Sequence, residues 1–184
     1  GRCCRSRRWR TLAIVGYGSI GREAALRARG FGMRIVGVSR SARPDPALDD
    51  IRRADELEAV LTQADVVLVT VPSGARTRGL IGAAQLAACK PGALLINVAR
   101  GNVVDRAALI AALESGHLGG AGIDVTDPEP LAGDDPIWNT PNLIITPHVS
   151  GSSGPEGFAR LADIVCANVA RFVGGEEPLH RIQP

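Results

Sequence analysis

Residues 11–21 read TLAIVGYGSIG. Thr11–Val15 is a short, mostly apolar run of the kind that forms a buried strand. Gly16-Tyr17-Gly18-Ser19-Ile20-Gly21 follows it as G-x-G-x-x-G, and SIGREAALRARG then carries a helical pattern that stops at Gly30. Alone, three spaced glycines say little. Between a strand and a helix they have a mechanism. Gly16 permits a tight turn, Gly18 lets a ligand approach the backbone, and Gly21 lets helix and strand pack closely. The helix start offers free N–H groups and partial positive charge to a phosphate. The plain alternative is a glycine-rich turn that holds no ligand.

Working outward, apolar strands alternate with amphipathic helices. The strands are expected at Thr11–Val15, Arg34–Val38, Val66–Thr70, Ala93–Val98, Gly120–Asp124 and Leu143–Thr146. Runs such as VVLV and ALLINV suit a parallel sheet covered on both faces. Helices are expected at Ser19–Arg29, at Asp55–Thr62, after Asp105 as far as Gly116, and near Gly157–Val173. The last carries Phe158, Leu161, Val165, Val169 and Phe172 at helical spacing, which reads as a core or interface stripe. Residues 126–142, TDPEPLAGDDPIWNTPN, form an irregular loop of the sort that carries function. The fold class is therefore α/β, a doubly wound parallel sheet (Rossmann fold) that binds ligands beyond the carboxyl ends of its strands.

At 184 residues the chain makes one domain. The expected division is a basic arm at 1–10, unstructured or left over from a cut chain, a dinucleotide-binding domain at 11–152, and a helix and tail at 153–184. The net charge is +2, yet residues 1–10 hold five arginines and no acid. Such an arm can bind nucleic acid, but nothing downstream extends the patch. The four cysteines form no C-x-x-C pair and are read as free thiols of a reducing, cytoplasmic protein. No apolar run is long enough to span a membrane, and no metal site is expected.

The second strand ends at Val38-Ser39-Arg40, about 20 residues past the glycines. An acid there would accept hydrogen bonds from the ribose hydroxyls of NAD. Here Ser39, Arg40, Ser41 and Arg43 stand in its place, and the next acid is Asp45. A guanidinium grips a phosphate bidentately, so NADP(H) is the preferred cofactor and NAD(H) the alternative. Two solvated loop arginines are the plain reading.

Three further segments sit where strands end: NVARG at 97–101, DVTDPEP at 124–130 and TPH at 146–148. Together GYGSIG, NVARGNVVD, AGIDVTDPEPL and IITPHVSG resemble the D-isomer-specific 2-hydroxyacid dehydrogenase family, and the further resemblance to its NADP-using glyoxylate/hydroxypyruvate reductases rests largely on VSRS at 38–41. The match runs from about Thr11 to the end of the chain. The resemblance implies that Arg100 binds the substrate carboxylate, that His148 is the general acid–base, and that Glu129 pairs with His148. It also implies that Asp124 contacts the nicotinamide carboxamide. Asp127 is the rival to Glu129, while His117 and His180 receive no role. The full candidate cofactor set is Gly16, Gly18, Ser19, Ile20, Gly21, Ser39, Arg40, Ser41, Arg43, Val71, Pro72, Thr77, Val98, Ala99, Arg100, Asp124 and His148.

The chemistry is consistent with that assignment. Hydride transfer to a 2-oxo acid builds negative charge on the carbonyl oxygen, so a cation and a proton donor must stand beside it. Singly, each of these residues has an ordinary reading as a surface arginine, a solvated glutamate or a structural histidine. Behind one glycine loop they outweigh it together. The family's substrate domain is built mostly from an N-terminal segment that has no counterpart before Trp9, so weak or absent turnover is expected of this chain. The resemblance also implies a homodimer. The same fold serves corepressors that use a dinucleotide to control assembly, and such a binding module is the alternative function; a functionless fragment is a third.

Overall fold

The computed structural model describes residues 10–151 and 154–180. Strands β1 (Thr11–Val15), β2 (Arg34–Ser39), β3 (Asp50–Arg53), β4 (Val66–Val69), β5 (Ala93–Asn97), β6 (Leu118–Ile123) and β7 (Leu143–Ile145) form one sheet in the order β3-β2-β1-β4-β5-β6-β7. Every pairing is parallel. The order reverses between β1 and β4, so the chain leaves β1 on one side and β4 on the other. That reversal opens the crevice in which such sheets bind ligands.

Side chains alternate across the sheet. Leu12, Ile14 and Ile35 pack with Ala25 and Ala28 of helix α1 (Ser19–Arg29) on one face. Ala13, Val15, Val36, Val38, Val67, Val69 and Leu95 point the other way. There they meet α2 (Leu57–Leu61), α3 (Ala83–Ala88) and α4 (Arg106–Glu114). Burying each large aliphatic contributes roughly 1.5–3 kcal/mol, and burial on both faces explains the unbroken apolar runs. Towards β7 the first face thins out, and Ile144 is 70% exposed.

The expected strands are present, Thr11–Val15 with both ends as expected and the others with one or both ends moved by at most two residues. Two elements were not expected. β3, Asp-Ile-Arg-Arg, is a charged edge strand held by pairing with β2, as in Val36↔Asp50. α3 is short and Ala-rich, and its start is closed by the Gln85 side-chain oxygen, which accepts the Gly82 amide at 3.1 Å. The expected helix at Asp55–Thr62 is a 3-10 turn (Ala54–Glu56) running into α2. Asp105 caps α4 as expected, accepting from the Ala108 amide at 2.8 Å. Loop 126–142 is irregular apart from a 3-10 turn at Pro136–Asn139, and the Arg106–Asp135 ion pair ties it to α4.

The chain divides into two compact units at His148/Val149. The second holds helix α5 (Gly154–Val173). Its apolar stripe is present, but no α5 residue is buried, so these side chains form no part of the described core. The expected N-terminal arm lies outside the described residues up to position 9.

Candidate functional site

Because all seven strands run the same way, their carboxyl ends share one edge of the sheet. The glycine loop leaves β1 there. Gly16 has φ +99°, and a Cβ on it would sit 2.6 Å from the Val71 amide nitrogen. The Thr70 hydroxyl donates to the Gly16 carbonyl at 2.7 Å, so the end of β4 fixes the turn. A Cβ on Gly21 would lie 2.9 Å from both the Gly16 carbonyl oxygen and the Ile14 side chain, which is the close helix–strand packing the motif predicts. Gly18 differs: nothing lies within 4 Å of its Cβ position. It is the N-cap of α1 and supplies no side-chain cap. The first α1 amides, around Ser19 and Ile20, therefore lack intrahelical acceptors, and Gly18, Ser19 and Ile20 are all exposed. This arrangement fits the pyrophosphate of a dinucleotide.

At the end of β2 the Ser39 hydroxyl accepts the Ala42 amide at 3.0 Å, and Ala42 takes φ +43°. The loop turns sharply and leaves Arg40, Ser41 and Arg43 exposed. Among the described residues neither Arg40 nor Arg43 enters an ion pair. Pro72 and Thr77 close the loop after β4, where the Thr77 hydroxyl donates to the Pro72 carbonyl at 2.7 Å. The Val98 amide donates to Val69 at 3.3 Å, which keeps the ends of β4 and β5 together.

The segment that carries Arg100 is held by Asn97, which is 1% exposed. Its side-chain oxygen accepts the Ala99 amide at 3.0 Å, and its nitrogen donates to the Arg100 carbonyl at 3.1 Å. The Arg100 guanidinium donates to the Ala99 carbonyl at 2.6 Å and remains exposed. Gly101 follows, packed hard against the loop after β6. A Cβ there would lie 2.0 Å from the Thr126 carbonyl carbon.

Asp124, 4% exposed, accepts a 2.5 Å hydrogen bond from the Thr146 hydroxyl. The Thr146 carbonyl in turn accepts the His148 amide at 3.0 Å, and His148 takes φ +56°. His148 Nδ1 lies 3.1 and 3.2 Å from the two carboxylate oxygens of Glu129. Glu129, not Asp127, is thus the carboxylate paired with His148. The pair is open to solvent, with side chains 43% and 38% exposed. A cavity of about 220 Å³ nearby is lined by Asn97, Gly101, Arg106 and Asp127 and includes neither Arg100 nor His148.

Thr70, Asn97 and Thr146 drew no functional reading from the sequence, although two were in plain view. Asn97 ends the apolar run ALLIN, and a buried polar side chain in such a run must find partners. Thr146 lies two residues before the histidine. Thr70 carried no signal, because its acceptor is 54 residues away.

The sequence profile described as the NAD binding domain of D-isomer specific 2-hydroxyacid dehydrogenase matches residues 3–150. The chain is 39% identical over 169 residues to a glyoxylate reductase of Thermococcus gammatolerans, covering 92% of this chain and 50% of that protein. It is 43% identical over 168 residues to a glycerate dehydrogenase of Methylorubrum extorquens, covering 90% of this chain and 51% of that one. The chain thus spans about half the length of the curated relatives it matches. It superimposes with TM-score 0.87 and 32% identity on an NADPH-dependent glyoxylate/hydroxypyruvate reductase of Sinorhizobium meliloti solved with NADP and sulfate, covering 95% of this chain and 55% of that one. These names do not favour the corepressor alternative. Among the described residues no helix is long and apolar enough to cross a membrane.

Proposed function

The chain belongs to the D-isomer specific 2-hydroxyacid dehydrogenase family, and from that premise we propose that it is the coenzyme half of a reductase of small 2-oxo acids of the glyoxylate/hydroxypyruvate type. The observation that carries this reading is the two-oxygen contact between Glu129 and His148, at 3.1 and 3.2 Å, on the sheet edge that also bears the glycine loop. When bound, the dinucleotide supplies the hydride. Gly16, Gly18 and the amides at the start of α1 hold the pyrophosphate, and Asp124 holds the carboxamide. Arg100 binds the substrate carboxylate and stabilises charge on the carbonyl oxygen. His148, oriented through Nδ1 by Glu129, donates the proton to that oxygen in reduction and takes it back in oxidation.

We further propose that the cofactor is NADP(H). Support comes from Arg40 and Arg43, exposed and without ion pairs among the described residues, and from the NADP complex of the S. meliloti relative. A homodimer is the expected assembly, and sedimentation at two concentrations tests it. The free, buried Cys89 is consistent with a reducing compartment. With His148 and Glu129 open to water, this chain alone turns over feebly at most.

A titration of the chain with NADPH and NADH, followed by assay with glyoxylate and hydroxypyruvate, tests these points. NADPH is expected to bind about 10-fold or more tightly than NADH, as one charged hydrogen bond allows. Equal or tighter NADH binding overturns the cofactor assignment, and failure to bind either overturns the function.

A further inference from the structure

The connection from β2 to β3 follows Arg43 with two acids, Asp45 and Asp49, and Asp50 opens β3; each of the three is already engaged. Asp45 accepts from Arg22 Nε at 3.0 Å and from the Ala47 amide at 2.8 Å. Asp49 accepts the Ile35 amide at 2.7 Å. Asp50 pairs with Arg52 at 2.8 Å and with Arg34 at 3.9 Å. Asp45 is the one that matters for the cofactor, because only Pro44 separates it from Arg43. Its partner Arg22 is the first residue after the glycine motif, so the pair lies beside the glycine loop. The buried Tyr17 hydroxyl of that loop also neighbours Asp45, and burial first, then that carboxylate, raises its pKa. The Ala47 amide and, against the cost of burial, the Arg22 guanidinium hold the Asp45 carboxyl below its ordinary value.

We propose that Arg22 is a specificity-determining residue for the phosphorylated dinucleotide, acting through Asp45. By holding that carboxylate against α1, it leaves Arg40 and Arg43 free for the 2′-phosphate. Without Arg22, Asp45 stands as an unpaired anion two residues from Arg43. It then competes with the phosphate for the guanidinium and repels the phosphate directly. NADH carries no 2′-phosphate and is indifferent to both effects. The pyrophosphate is common to both cofactors, so any effect on it cancels in the ratio of their affinities. This inference rests on the proposed NADP(H) preference.

The test is the dissociation constant of NADPH and of NADH, measured by cofactor fluorescence for the full chain, Arg22→Ala, Asp45→Asn and the double variant. Arg22→Ala is expected to weaken NADPH about fivefold at low ionic strength, with a smaller change at high salt, and to leave NADH unchanged. The double variant is expected to return NADPH to within about twofold of the unmodified chain, since the offending carboxylate is gone. If Arg22→Ala does not fold, Arg22→Gln keeps the side-chain stem and reads the same ratio. A double variant no better than Arg22→Ala overturns the proposal, because Arg22 would then act on the ligand itself. Equal weakening of both cofactors overturns it too. The cofactor assignment is judged separately, from the unmodified chain, so a chain that prefers NADPH with a ratio untouched by Arg22→Ala sinks this inference alone.

Discussion

Thr146 and Asp124 are joined by a 2.5 Å hydrogen bond from hydroxyl to carboxylate, which ties the end of β7 to the end of β6. The same threonine accepts the His148 amide through its carbonyl. One residue thus connects the carboxylate assigned to the nicotinamide with the histidine assigned to the proton.

Thr146→Val keeps the shape and removes the donor. Asp124 is almost fully buried, and losing this hydrogen bond there is expected to cost about 1–3 kcal/mol of stability. Urea denaturation measures it. Thr146→Ser restores most of the loss, and a valine variant as stable as the parent would show that the bond contributes nothing.

Gly101→Ala places a methyl group 2.0 Å from backbone carbon and 2.1 Å from backbone oxygen at Thr126. No flexible side chain can yield, so the loops carrying Arg100 and Asp127 must separate. Overpacking of this kind costs about 1–3 kcal/mol or more. Gly133→Ala, with nothing within 4 Å, is the control and is expected to stay within about 0.5 kcal/mol of the parent. Thermal melting of both variants decides the matter.

Burial pushes the Cys89 thiol up to about 11. Little thiolate exists there at pH 8, and thiolate is the reactive form. Exposed Cys166 is therefore expected to be alkylated by iodoacetamide far faster than Cys89 in the folded chain. Peptide mapping by mass spectrometry reads the difference, which should vanish in denaturant.

Asp65 accepts the Thr11 amide at 2.8 Å and the Lys90 ammonium at 3.0 Å. Burial opposes its charged form, but these two partners outweigh burial and hold its pKa below the ordinary value. A group depressed on folding contributes stability above its unfolded pKa of about 3.9 and loses it as the pH falls through the lower folded value. Stability is accordingly expected to drop below about pH 4, and less steeply in Asp65→Asn. Urea midpoints between pH 3 and pH 7 test the slope.

The parts legible in the sequence were those with short-range causes. The apolar runs announced six strands, most of them because both of their faces are buried and β7 by its short run Leu-Ile-Ile although Ile144 is exposed, and G-x-G-x-x-G announced the phosphate loop because turn, helix start and close packing all need glycine locally. β3 was not legible. Its Asp-Ile-Arg-Arg has neither an apolar run nor clean alternation, and only pairing with β2 makes it a strand. The supports of the site were hidden for a related reason. Thr146 reaches Asp124 across 22 positions, and Arg22 reaches Asp45 across 23. The Glu129–His148 pair, 19 positions apart, was expected only because the resemblance implied it; the residues alone left Asp127 as a rival.

The charged edge strand has a consequence for how the molecule behaves in company. An edge offers unpaired backbone groups to any extended chain that comes near, and proteins guard such edges with charge and brevity. β3 is four residues long, and its Asp50, Arg52 and Arg53 are bound into ion pairs with Arg34, Glu56 and Asp55. A visiting strand would have to break that lattice of charges before adding to the sheet. The segment least legible as a strand is thus the one that keeps this border of the sheet from recruiting a stranger.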